Sequence, residues 1–451
     1  MAEVTASRPR FHNFVILWGG QFVSSIGTFV TDFALAIFVY RLTGSATTLG
    51  LVYALPILPL ILVSPVAGYF VDRWGTRRAL LISNIGAMVI AFALALLLVT
   101  HTFQVWHVYV VVATSSVLLA LQLPAFDASV PLLAPKRRIG QANGMRLFAM
   151  AVSQVLAPVL GGVLLIAIGI QGIVLINCLS YGAAVVSVAL IRIPRPPAAE
   201  VDAAEAPATV VRGIREAWRY LVARPGLLML MFFLGLISTF IGFVEVLINP
   251  LVLAFASPRA LGVVLSIGGL GMIAGSVAMS IRSPRRRIHG VLGFALVLGT
   301  AIVVGSLRPS VPLMATAAFV LLCCSAFIIG SSQTIWQTKV DQRLMGRAMA
   351  LKNSIVFGLQ FVGFALAGPI ADHVFQPLVG ADHVRSPAVA ALVGNGPGRG
   401  FALLLMVVGV LIVLLAALSY GYPRLRRVED ELPDSVSDVD DVATGALAPA
   451  R

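Results

Sequence analysis

The chain has 451 residues, 59% of them hydrophobic and only 11% charged, with a net charge of +13. Soluble proteins carry charge on about a quarter of their residues, so there is too little polar surface here to coat a water-soluble globule. The basic residues fall in short clusters between apolar runs, which fits a protein facing anionic lipid and excludes a nucleic-acid-binding stripe.

A membrane-crossing helix needs about 20 mostly apolar residues, and twelve runs qualify. The first six cover 14–40, 48–70, 79–99, 105–125, 143–166 and 171–192. The second six cover 227–251, 259–281, 289–307, 312–335, 348–371 and 400–421. They are too long for strands and lack the period-two alternation of barrel strands. Residues 1–13 carry Arg8 and Arg10 and read as a cytoplasmic N-terminus. The first run exceeds a signal-peptide core, so it reads as a retained helix.

Lys and Arg set the orientation. Of the 32, only Arg41, Arg259, Arg308, Arg385 and Arg399 fall on one side of a twelve-span chain. The rest fall on the other side, which places both termini in the cytoplasm. The spans form an N-terminal six-helix bundle, 14–192, and a C-terminal one, 227–421. Between them, 193–226 begins as a Pro/Ala-rich linker. It ends in TVVRGIREAWRYLVARP, where Val211, Ile214, Trp218 and Leu221 share a helical face and predict a helix in the cytoplasmic interface. The tail, 422–451, is acidic beyond Arg427 and is expected to be disordered. Gly68 and Gly275, and Pro158 and Pro369, recur at nearly the same interval, as in transporters built from internal repeats.

The most specific pattern follows span two. Gly68, Asp72, Arg73, Gly75, Arg77 and Arg78 stand as G-x-x-x-D-R-x-G-x-R-R. This resembles the signature loop of the major facilitator superfamily. In span five, Ala157, Pro158, Gly161 and Gly162 resemble that family's antiporter motif, with Ser153 and Ala157 where the motif has glycine. The opening LWGGQFVSSIGTFVTDFALAIFVYRLTGSATTLG, the loop QTKVDQRLMGRAMALKN and the stretch GNGPGRG are similar to the macrolide-efflux and siderophore-exporter subgroup. The resemblance implies a monomer that moves small molecules by alternating access. It also implies that Asp72 and Arg73 latch the bundles on the cytoplasmic side, with Asp72 facing the start of span eleven near Gly346 to Met349. Without the latch, the loop is a topology anchor. Span four lacks the buried arginine that some proton-coupled relatives carry.

Ionisable groups inside a span cost about 2.5–3.5 kcal/mol on insertion scales. Asp32 in span one and Glu245 in span seven are two such groups, again spaced by nearly the repeat interval. In this family those spans line the central cavity, where two acids suit proton coupling or attraction of a cationic substrate. The alternative is local bonding that only shapes the helix, since Thr28 and Thr31 flank Asp32 and Asn249 lies one turn from Glu245. Gln21, Gln122, Gln154, Asn249, Gln333 and Gln360 are candidate polar groups of the cavity, or helix-helix bonds. Asp127 reads as a helix-end or loop residue.

Cys178, Cys323 and Cys324 sit inside apolar runs, and no His/Cys/carboxylate cluster has metal spacing. No phosphate-binding G-x-x-x-x-G-K-[ST] loop is present. The expected protein is therefore a multi-pass, all-α membrane transporter of a bacterial inner membrane, not an enzyme, with no cofactor. Its expected partners are a small-molecule substrate, protons and membrane lipid, with no nucleic acid. The leading function is proton-coupled efflux of an amphipathic or lipophilic drug, antibiotic or siderophore. An importer of a small metabolite and a non-transporting sensor or scaffold are the alternatives.

Overall fold

A computed structural model describes residues 11–135, 138–194, 206–281, 284, 286–341, 344–379 and 396–431. The described residues contain helices and no strand. The first bundle holds α1 (Phe11–Thr43), α2 (Ala46–Ala54), α3 (Ile57–Trp74), α4 (Thr76–Val99), α5 (Val105–Leu133), α6 (Ile139–Ala167) and α7 (Gly169–Leu190). After α8 (Ala206–Val222), the second holds α9 (Pro225–Leu253), α10 (Pro258–Ile281), α11 (Arg287–Ser306) and α12 (Val311–Lys339). It continues with α13 (Met345–Ile370), a π-helical turn (Ala371–Phe375), α14 (Gln376–Val379) and α15 (Arg399–Gly421). Among the described residues, twelve helical stretches are long and apolar enough to cross a membrane.

The lipid-facing side is visible on α4. Ile82, Ile85, Val89, Phe92, Leu96 and Val99 are all exposed, at alternating steps of three and four residues. That is one continuous stripe of a helix, and a stripe this apolar is stable only against hydrocarbon. The opposite side of α4 buries Leu80, Asn84, Ala87, Ala91 and Leu94.

Three local features depart from the sequence reading. Span two is two helices, broken at Leu55 and Pro56, because proline supplies no N–H and restricts the residue before it. The carbonyl of Pro56 accepts from the Ser116 hydroxyl on α5. Span four runs on through Pro124 and Pro131 to Leu133, which puts Asp127 within α5, where it pairs with Arg146 of α6. The tail begins with two short helical turns, Pro423–Arg426 and Val428–Glu431, because Leu425 and Val428 bury themselves and Glu429 caps the backbone N–H of Ile288 at 2.8 Å. The rest of the tail, 432–451, lies outside the described residues, as do 1–10 and the Pro/Ala-rich part of the linker from 195 to 205.

On α8, Ala217 and Leu221 are buried while Ile214, Trp218 and Val222 are exposed. By helical spacing these residues lie on one apolar arc, whose Ala217–Leu221 flank is buried and whose Ile214–Trp218–Val222 flank is exposed. The side chain of Val211 lies outside the described residues. Glu216 pairs with Arg347, and the Tyr220 hydroxyl accepts from the Asp341 N–H at 3.0 Å, tying α8 to the second bundle.

Gly75 joins α3 to α4 with φ 85° and ψ 145°, a region open in practice to glycine alone. Gly75→Ala should cost about 1–3 kcal/mol. Thermal unfolding of the detergent-purified variant should show a lowered midpoint, and an unchanged midpoint would mean that the turn relaxes at no cost.

Candidate substrate-translocation site

α1 and α9 each present one acid within a largely enclosed stretch. From Ser24 to Tyr40, Asp32 is the one exposed position on α1. From Ile237 to Leu253, Glu245 is the one exposed position on α9. A lipid-facing helix shows a repeating exposed stripe, as α4 does. A single exposed carboxylate among buried neighbours instead faces an interior space. No hydrogen bond or ion pair is recorded for either carboxylate among the described residues.

Tyr53, near the end of α2, lies within electrostatic reach of both Asp32 and Glu245, so both acids lie near one tyrosine. Its hydroxyl accepts from Nδ2 of Asn249, one turn along α9 from Glu245, at 2.9 Å. Oδ1 of Asn249 is buried and has no partner. On the other side, the Thr28 and Tyr181 hydroxyls are bonded at 2.8 Å, and Tyr181 also feels the charge of Asp32. The space is thus framed by two acids, two tyrosines and an amide drawn from α1, α2, α7 and α9.

The remaining candidate amides separate. Gln122 donates to Oε1 of Gln21 at 2.6 Å, with Oδ1 of Asn84 at 3.4 Å, in a polar cluster between α1, α4 and α5. Nε2 of Gln21 is buried without a partner. Gln333 accepts from Lys352 at 3.3 Å, linking α12 to α13. Gln154 is exposed on α6, and Gln360 is half-buried on α13, where its carbonyl packs near Gly242.

Among the described residues, two close backbone seams run between the bundles, beside the Tyr53–Asn249 bond. At α6–α10, a Cβ on Gly162 would press on the carbonyl of Pro258, and one on Gly262 would strike the carbonyl of Pro158. Gly161 faces the Phe33 ring on α1, and Ala157 is buried. The antiporter-like motif therefore packs α6 against both α1 and α10. At α2–α13, Gly368 approaches the backbone of Ala46 and Thr47, and Gly50 approaches the carbonyl of Phe364.

A carboxylate the sequence reading passed over closes this second seam. Asp372, in the π-helical turn after Pro369, accepts from the Ser45 hydroxyl (3.0 Å), the Ala46 N–H (3.3 Å), the Thr47 N–H (2.9 Å) and the Thr47 hydroxyl (2.8 Å). With Ser45 accepting from the Thr48 N–H, the first three N–H groups of α2 all find acceptors. The helix N-terminus also favours the negative charge. Asp372 had no mark in the sequence beyond its place at the end of a span. Lys352 likewise stood only as a topology marker, yet it is buried, 5.8 Å from the Trp336 ring centre.

The signature loop lies at the opposite end of α3 from this closure. Arg77 donates to the Ala189 carbonyl at 2.9 Å, covering the end of α7. Arg73 and Arg78 are exposed. Gly68 and Asp72 belong to α3, and the side chain of Asp72 lies outside the described residues.

The Major Facilitator Superfamily model matches residues 17–367. The chain belongs to the major facilitator superfamily. It is 25% identical over 379 residues to macrolide efflux protein A of Streptococcus pyogenes, covering 80% of this chain and 90% of that protein. It is 24% identical over 372 residues to the multidrug efflux pump Tap of Mycobacterium tuberculosis, covering 80% and 87%. Among solved structures, the nucleoside transporter NupG superposes with a TM-score of 0.69 at 13% identity, covering 91% of this chain and 99% of that one. A bacterial homolog of the lysosomal transporter Spinster superposes with 0.67 at 14%, covering 94% and 98%. These likenesses make the chain a multi-pass membrane transporter of the superfamily.

Asp372→Ala deletes all four acceptor contacts at the α2–α13 seam. Spin labels at Leu42 and Leu378, both exposed at that end, should then show a distance distribution that is longer and broader than in the parent. An unaltered distribution would mean that the apolar contacts alone hold that end shut.

Proposed function

We propose that this transporter is a secondary-active exporter that uses proton antiport to expel an amphipathic or lipophilic small molecule. The observation that carries this reading is the pair of isolated carboxylates, Asp32 and Glu245, each the lone exposed position of a largely enclosed stretch and both within electrostatic reach of Tyr53. Acids kept at the cost of membrane insertion belong to ion or substrate pathways by default. The macrolide and multidrug efflux named for two relatives supports export and a lipophilic substrate class.

In this reading the basic side of the chain, with the Gly75 loop, faces the cytoplasm. The Ser45–Asp372 end then faces outward, and its closure leaves the binding space to be filled from inside. Substrate enters between Asp32 and Glu245, and a cationic group meets their negative charge. Tyr53, Tyr181 and Asn249 offer hydroxyl and amide groups, and the apolar walls accept a lipophilic body. Protons arriving from outside compete for the same carboxylates and release the substrate. Binding of proton or substrate at this shared site shifts the balance between the two states, because each favours one of them. α8, with Ile214, Trp218 and Val222 exposed, rests in the cytoplasmic headgroup layer.

Inside-out vesicles with an imposed proton gradient test the reading, using a panel of macrolides and lipophilic cations. Gradient-dependent accumulation is expected, and it should fall roughly tenfold or more in the Asp32→Asn, Glu245→Gln double variant. Full accumulation in that variant would remove these acids from the coupling. Accumulation only in right-side-out vesicles would reverse the direction. At the loop, Asp72→Asn should lower the transport rate while leaving the amount of inserted protein unchanged. An unaffected rate would reduce the loop to a topology anchor.

A further inference from the structure

A second cavity lies away from the translocation site, at the Gly75 end of the second bundle. It has a volume of about 310 Å³ and is lined by Arg286, His289, Tyr420, Arg426, Arg427 and Asp430. Three guanidinium groups thus share one cavity with a single carboxylate. Among the described residues, none of the three arginines has an acidic side chain within ion-pair distance. Nδ1 of His289 is buried and has no hydrogen-bond partner, and its ring meets that of Tyr420 edge-on at 5.6 Å.

The fold holds this arrangement in place. Leu425 and Val428 are buried, with Val428 packed on Gly226. Glu429 caps Ile288, and Lys339 donates to the Glu429 carbonyl at 2.6 Å. The segment that follows the last membrane helix is therefore pinned back with Arg426 and Arg427 beside Arg286. Like charges so placed repel one another unless an anion lies between them. Planar guanidinium forks match phosphate oxygens two at a time. The depth also fits a lipid. Tyr420 and Tyr422 are both exposed at the end of the last span, where aromatic residues mark the headgroup level. Leu418, 74% exposed, sits just below them, and Ile281, 80% exposed, ends α10 before the loop to Arg286. A free phosphate has no use for that apolar flank, whereas acyl chains do.

We propose that this cavity binds the phosphate of an anionic phospholipid, with Arg286, Arg426 and Arg427 as its ligands. The proposal does not rest on the transport reading. The test is native mass spectrometry of the delipidated full-length protein, titrated with phosphatidylglycerol, phosphatidylcholine or inorganic phosphate. The first phosphatidylglycerol should bind on the order of tenfold tighter than phosphatidylcholine. The Arg286→Gln, Arg426→Gln, Arg427→Gln variant should lose that preference, and the matching triple Lys variant should keep part of it. Should the triple Gln variant melt early, Arg286→Gln alone, at an exposed side chain, should still reduce the preference. Equal binding of the two lipids by the parent would overturn the proposal, as would a preference untouched in the Gln variants. Displacement of phosphatidylglycerol by inorganic phosphate at equal concentration would assign the site to the free ion and overturn the lipid.

Discussion

A backbone N–H or C=O inside hydrocarbon must find its partner within the protein, and this constraint shapes every irregular point of the fold. Where the helices run on, the partners are internal and the chain needs only apolar side chains. Where the run breaks, a neighbour has to supply the missing group. At the break beside Pro56, the Pro56 carbonyl accepts from the Leu60 N–H and also from the Ser116 hydroxyl of α5. The start of α2 is met by Asp372 from the far bundle. The π-helical turn after Pro369 is what brings Asp372 there, and such turns frequently mark functional positions. Breaks in the helices and contacts between the bundles are thus the same places.

The same solvent makes charge informative. On α4 every exposed residue in the stripe is apolar, while on α1 and α9 the lone exposed positions in the middle stretch are acids. Hydrocarbon would exact a large cost for either carboxylate, so these positions do not suit a lipid-facing surface. Tyr53 belongs to the first bundle, yet it bonds Asn249 in the second and senses both acids. Its position ties the geometry of the space to the α2–α13 seam, because α2 carries Tyr53 near one end and the Asp372 contact at the other.

Much of this was legible in the sequence because the bilayer imposes length and polarity on each span separately. The twelve apolar runs correspond to twelve helical stretches long and apolar enough to cross a membrane, although span two is made of two helices. Asp32 and Glu245 stood out because a carboxylate in an apolar run has a known cost. The harder features depend on partners remote in the chain. Asp372 meets Ser45 across 327 positions, and nothing local distinguishes it from a solvated loop acid. The interruption at Pro56 was hidden by continuous hydropathy on both sides. Burial of Lys352 beside Trp336 and Gln333 depends on how α12 and α13 pack. The fold-back of 423–431 depends on two apolar residues within a charged stretch, where composition pointed to disorder.

The two seams differ in kind, and the difference bears on how the bundles would exchange positions. At α6–α10 the contacts are mainly close glycine and proline backbone without charge, with a single hydrogen bond among the described residues, from the Ser266 hydroxyl to the Val155 carbonyl. Dispersion between such surfaces has little directionality, so the helices can roll on each other and keep most of it. At α2–α13 the Asp372 bonds are directional and are lost together when the helices part. The first seam suits a pivot and the second a catch. If Asp72 acts at the other end of the α2–α3 crossing, as the family loop implies, one interrupted crossing carries a catch at each end. Releasing one catch exposes a carboxylate and helix N–H groups to water, and engaging the other removes a similar set from it. The two costs then largely cancel. A small difference in binding at Asp32 and Glu245 would be enough to choose the state, since populations respond to differential affinity and not to total affinity.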